Sequence, residues 1–430
     1  MYTKTEKLTV LLVLAWSLAT FLPVQAQEFE REPIEYSKRS GENRVTQLMA
    51  ELQTGKKTLK HEPENGYLRS LLADLQVPES SQTLVFSKTS LQRQRISPAT
   101  PRALYFSDDT YVGFCQDGEV LEVSAMDKDL GAMFYTLDQT DHKTPRITRQ
   151  ADNCLICHAS SSTKGVPGYV VRSVYSDAGG FPILSSGTHR TDHTSPLIER
   201  WGGWYVTGTH GNQKHLGNLV VRGKQEPEQV DNAAGQNVTD LSQHFDSSRY
   251  LTPHSDVVAL MVLEHQAEAH NYIVHANFAT RQALHYEQTL NRELGKPPEE
   301  HWDSTRSRIK SACEPLVEYL LFCDETPLTH KIEGTSRFAE EFQEQGPRDK
   351  RGRSLRDFDL TRRMFKYPCS YLVYSPSFSA LPKEAKDYVF RRLREVLSGP
   401  DPSDSFKHLS ADDRQALQEI LAETLPGYRT

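Results

Sequence analysis

Ala103-Leu104-Tyr105-Phe106, Tyr111-Val112-Gly113-Phe114, Val120-Leu121-Glu122-Val123 and Met133-Phe134-Tyr135-Thr136-Leu137 follow one another between Arg102 and Arg149. The runs are separated by turns containing Asp, Gly and Ser, and their period is near two, which predicts short antiparallel strands. Working outward, strand-like pieces resume at 169–174 and 203–207 between glycine-rich loops. Beyond about Leu251 the period becomes helical: 255–286 is one long amphipathic stretch, followed by 315–323, 337–344, 355–366, 383–397 and 411–425. Ser410 with Asp413 three residues on has the pattern of a capping box. The expected fold is α+β. A small β-containing domain covers 101–225, an Asn-, Gln- and acid-rich exposed linker 226–250, and an α-helical domain 251–430. Residues 27–100 are polar and charged, with one amphipathic piece around Val45 to Leu52, and read as an extended or loosely packed lead-in.

The chain has 430 residues, 37% hydrophobic and 25% charged, the composition of an ordinary soluble globular protein of two or three domains. Residues 1–26 read as a secretory signal: Lys4 and Lys7, an apolar run from Leu8 to Leu22, then Val24-Gln25-Ala26 as a small-residue cleavage site. The alternative is an uncleaved anchor. Lys4, Lys7 and Glu6 sum to +1, so removing the signal takes the net charge from −7 to −8. That balance disfavours a nucleic-acid partner. No later segment approaches the length of a spanning helix, so no membrane span is expected after signal removal. The expected location is periplasmic or otherwise extracytoplasmic.

Cys154-Leu155-Ile156-Cys157-His158 is the one Cys-x-x-Cys run in the chain. Cysteines three apart lie on one side of a helical turn, so both thiols can add to the vinyl groups of a porphyrin while the next residue, His158, reaches the iron. Asp152 or Asn153 would cap the short helix. Three other chemistries share the pattern. Zinc would require two more ligands, a thioredoxin-like dithiol has no need of the histidine, and the pair could be inert.

The run resembles the haem-attachment motif of c-type cytochromes. That resemblance implies one covalent haem c held by Cys154 and Cys157, His158 as proximal iron ligand, and electron transfer with a redox partner protein. It covers five residues and little else. Small class I cytochromes c place a distal methionine tens of residues downstream in a Pro- and Gly-rich loop, whereas the first methionine after His158 is Met261, on a predicted helix. The family's distal ligand is therefore not carried over.

The distal candidates are histidines: His210 first, on a glycine-flanked loop, and His265 second, on the long helix, with His189, His193, His215 and His270 behind them. Two buried propionates would need cations. Lys143, Arg146, Arg149, Lys164 and Arg172 surround the motif, and Asp152 is the one acid between His142 and Arg172. Arg146, Arg149 and Arg172 are the expected propionate contacts; the alternatives are a docking face for an acidic redox partner or a solvated surface. Trp201, Trp204 and Tyr205 read as porphyrin-edge aromatics or as plain core. Glu264 and Glu268 flank His265, but no second helix supplies matching ligands for another metal. Of the remaining cysteines, Cys115, Cys313, Cys323 and Cys369, a helical 313–323 segment would hold its two roughly 15 Å apart, beyond bridging distance.

These features predict a secreted single-haem electron carrier. The alternatives are a haem enzyme, peroxidase- or oxidase-like, with an open sixth iron position, or a haem-based sensor. No catalytic residue is assigned.

Overall fold

The computed structural model describes residues 28–223, 226–297, 300–399 and 403–429. The signal-like segment 1–26 lies outside them. The four runs fold as read, into β2 (Arg102–Phe106), β3 (Thr110–Phe114), β4 (Val120–Asp127) and β5 (Gly131–Asp138), and a short strand the sequence did not mark, β6 (Ile147–Arg149), follows, each antiparallel to the next. Local chemistry sets the turns: between β4 and β5 the Asp127 carboxylate accepts the amides of Asp129 and Leu130 at 2.8 and 2.9 Å. Two strands from elsewhere extend this meander, β1 (Thr83–Val85) beside β2 and β9 (Trp204–Tyr205) beside β1. The seven-stranded order is β6-β5-β4-β3-β2-β1-β9. Two-residue ribbons pair β7 (Arg172–Ser173) with β8 (His189–Arg190), and β10 (Gly208–Thr209) with β11 (Glu333–Gly334).

The segment expected to be a loose lead-in is packed. It supplies β1, helix α1 (Arg44–Gln53) and helix α2 (Leu68–Leu75). Val45, Leu48 and Leu52 on α1 and Leu68, Leu71, Leu72 and Leu75 on α2 are buried. Its high charge obscured these helical stripes, because charged residues fill only the outward positions. The 226–250 linker, largely exposed, is nonetheless pinned: Leu241 is fully buried, and Asn232, Gln236 and Asn237 bond back to the 210–217 loop.

Helix α4 (Val257–Glu293) organises the rest, and every residue from Val257 to Asn271 is buried. Both layers hold it. Gln266 donates to the Ser107 carbonyl and to the Tyr111 hydroxyl on the sheet side, at 2.7 and 2.6 Å, and accepts from the Tyr371 hydroxyl on the helical side at 2.6 Å. Sheet and helices thus share a core through α4. Asp256 caps it: one carboxylate oxygen accepts the Val258 and Ala259 amides, and the other accepts the Thr335 and Ser336 amides and the Ser336 hydroxyl. Asp256→Ala is expected to lower unfolding free energy by about 2 kcal/mol or more, measured by urea denaturation. An unchanged midpoint would show that this cap contributes nothing.

Helices α5 (Asp303–Leu320), α6 (Phe338–Glu344), α7 (Pro376–Ser379), α8 (Lys383–Ser398) and α9 (Ala411–Thr424) follow. The Ser410–Asp413 capping box forms as read. Two expectations are corrected. Helix α5 begins at Asp303 and runs through Pro315, whose ring leaves unbonded the carbonyl of solvent-exposed Ser311, where water can replace the partner. Residues 355–366 are not helical. The Asp359 side chain accepts the amides of Thr361 and Arg362, and an isolated bridge pairs Phe358 with Phe365, so side chain-to-backbone bonding displaces the helix.

Candidate functional site

The motif forms the single turn α3 (Leu155–His158), shortly after β6 leaves the sheet. The N-cap position falls to Cys154, which makes no side-chain bond, rather than to the expected Asp152 or Asn153. The His158 amide closes the turn on the Cys154 carbonyl at 3.0 Å. Leu155 is turned into the core, whereas Ile156 is 75% exposed, an unusual position for an isoleucine. Cys157 is exposed and Cys154 half-buried, and both carry free thiols. One turn therefore presents two sulfurs and an imidazole at a solvent-open edge.

His158 is held from one side. Its ring packs on Phe134 of β5, with centroids 4.7 Å apart, and edge-on to Tyr169 at 6.5 Å. Its Nδ1 donates to the Gly168 carbonyl at 2.9 Å, and the Gly168 amide donates to the His158 carbonyl at 2.8 Å. Because a carbonyl only accepts, the proton sits on Nδ1 and Nε2 keeps its lone pair; among the described residues nothing bonds Nε2. Burial, with smaller contributions from Arg102 and Arg172, holds the imidazole below its usual pKa, so it is neutral at pH 7. Burial likewise pushes the Cys154 thiol up to about 11.

Position 168 must be glycine. A Cβ there would stand 2.0 Å from Asn271 Oδ1. Asn271, on α4, accepts the Tyr169 amide and donates to the Tyr169 carbonyl, both at 2.8 Å. Lys164 in the same loop pairs with the buried Glu268 of α4 at 2.8 Å. Arg102 on β2 reaches Glu122 on β4 across Gly113 of β3, where any Cβ would meet the guanidinium.

Of the expected propionate cations, Arg146 and Arg172 are exposed, and neither is paired with an acid among the described residues. Arg149 is committed elsewhere: its guanidinium donates to the Tyr36 and Arg39 carbonyls and lies over the Tyr36 ring. Lys164 is likewise taken by Glu268. Arg190, which sequence reading passed over, stands opposite Arg172 in the β7–β8 register and bonds the Ser162 carbonyl, four residues past His158. Nothing in the sequence marks that register, because the two arginines are brought together by a loop closure.

Both expected distal candidates have their ring lone pairs taken up in hydrogen bonds. His265 lies in the core with Nδ1 bonded to His193 Nδ1 and Nε2 to Ser370 Oγ, each at 2.8 Å, and stacks on Tyr319 and Phe322. His210 Nε2 accepts the Asn237 amide at 3.0 Å, so its lone pair is used. Among the others, His215 Nδ1 accepts the Gly217 amide, His270 Nε2 bonds the Asp108 carbonyl, and His189 faces Glu199. Glu264 is paired with Arg200 rather than set toward a metal, and Trp201, Trp204 and Tyr205 are buried core. Among the described residues no three His, Cys, Asp or Glu side chains converge as a metal-holding group, which a tetrahedral zinc site would require. All six cysteines are free, and no described helix is long and apolar enough to cross a membrane.

Comparison of the chain with known protein families, with curated proteins and with solved structures finds no match.

Proposed function

We propose that this chain is an extracytoplasmic protein that binds one haem c covalently and transfers electrons through it. The observation that carries the reading is the state of His158: fixed by Gly168 through Nδ1, neutral, with Nε2 free, one turn from two unpaired thiols. A haem bound there supplies one-electron redox chemistry. Cys154 and Cys157 would tether it and His158 would ligate its iron, with Phe134 packed against the histidine ring. Arg172 and Arg190 support the reading further. Like charges directly opposite in an antiparallel pair repel, so this pair favours an anion between them, which the propionates would supply. Arg146 is the next cation for a propionate or for an acidic redox partner.

A second reading is favoured by a specific observation: His210 and His265 have no free lone pair. An iron left open on the distal side would suit a haem enzyme or a gas-binding sensor. Spectra of the periplasmically expressed protein decide between them. Sharp c-type bands in the dithionite-reduced form, unmoved by carbon monoxide, are expected of the carrier; bands that shift with carbon monoxide would replace it with the open-site reading. Reduced protein without c-type bands would sink both.

A further inference from the structure

His158 is fastened to helix α4 through its own loop. Gly168 grips the histidine twice, by its carbonyl on Nδ1 and by its amide on the His158 carbonyl. The next residue, Tyr169, is clamped at both backbone groups by the Asn271 amide at 2.8 Å. Asn271 is itself anchored: its Nδ2 also donates to Glu268 Oε2 at 2.8 Å, while Glu268 Oε1 meets Lys164 Nζ at 2.8 Å. Lys164 lies over the Tyr272 ring, 3.7 Å from its centroid. Asn271 is fully buried and Glu268 is 5% exposed, so water does not compete for these bonds. Residues 164 and 169 of the proximal loop are thus tied to one stretch of α4, 268–272, a hundred positions away in the chain.

We propose that Asn271, anchored by Glu268, is a positioning residue that holds the Gly168 carbonyl against His158 Nδ1–H and so sets how strongly His158 donates to the haem iron. The inference rests on the covalent-haem reading. A carbonyl held in a close bond draws the Nδ1 proton and makes the imidazole a stronger donor, which favours the oxidised, more charged iron. A loosened carbonyl has the opposite effect.

The test is a redox titration of full-length, haem-bearing protein. In Asn271→Ala the ratio of reduced to oxidised protein at fixed ambient potential should rise on the order of tenfold, which is about 59 mV for a one-electron couple. Asn277→Ala is the control for loss of a buried amide. It lies on the same helix, is 3% exposed, and contacts the Lys128 and Ala380 carbonyls instead. Its ratio should not move. Should Asn271→Ala fail to mature, Asn271→Ser carries the same comparison with a smaller rise. Equal ratios in haem-bearing Asn271 and Asn277 variants would overturn this inference alone; a wild-type chain without thioether-bound haem would overturn the covalent-haem reading with it.

Discussion

Protein carrying Cys154→Ala together with Cys157→Ala is expected to retain no haem after acid-acetone extraction, and the wild type is expected to keep one haem per chain. Thioether bonds survive acid and organic solvent, whereas a haem held by His158 and apolar contacts does not. The variant should still fold. Cys157 is exposed and Cys154 half-buried, and neither side chain makes a hydrogen bond in the turn, so each truncation costs at most about 1 kcal/mol. Far-ultraviolet circular dichroism and urea midpoints close to wild type would separate loss of attachment from loss of structure. Each single alanine variant should keep one thioether, visible as a shifted pyridine haemochrome band. Haem that persists through extraction of the double variant would end the covalent reading.

The second large effect concerns the buried ion pair that ties the 193–200 loop to α4. Arg200 is 4% exposed at its side chain and Glu264 is fully buried, 3.3 Å apart. Arg200 also donates to the His193 and Ser195 carbonyls. Burial raises the Glu264 carboxyl from about 4.5 to about 7, against the opposing pull of Arg200. Because the folded value lies above the unfolded one, the fold binds this proton more tightly than the unfolded chain does. Its contribution to stability is full below about pH 4.5 and is lost as pH rises through 7. Arg200→Ala removes the only cation on that carboxylate among the described pairs. At pH 8 the loss should be about 3 to 5 kcal/mol, the usual result of stranding a buried charge. At pH 5 Glu264 is neutral, and the loss should shrink to about 1 to 2 kcal/mol from the severed carbonyl bonds. Urea unfolding at the two pH values measures the difference; equal losses would show that Glu264 does not carry the charge assigned to it.

The first of these experiments bears on a site that was only half visible in the chain itself. The Cys154 to His158 run is local chemistry, as are the β2 to β5 meander and the Ser410 capping box, because each depends on residues within a turn or a hairpin of one another. Such features need no knowledge of the fold. Sequence order alone therefore determined the α+β class, the long helix and the single Cys-x-x-Cys-His run on which the proposed haem attachment rests.

Only the tertiary structure decided which groups surround that run. His265 was a plausible distal ligand by periodicity, yet core packing spends both its nitrogens on His193 and Ser370. Arg149 lies a few positions from the motif, yet β6 directs its guanidinium to the Tyr36 and Arg39 carbonyls. Residues distant along the chain stand near the turn: Arg190 set opposite Arg172 by the β7–β8 register, and Asn271 set against Gly168 by the crossing of α4. The physical reason is common to all four. A buried or half-buried polar group takes whatever partner the fold brings within about 3 Å, and that choice is made by close packing between elements far apart in sequence, to which spacing along the chain is blind.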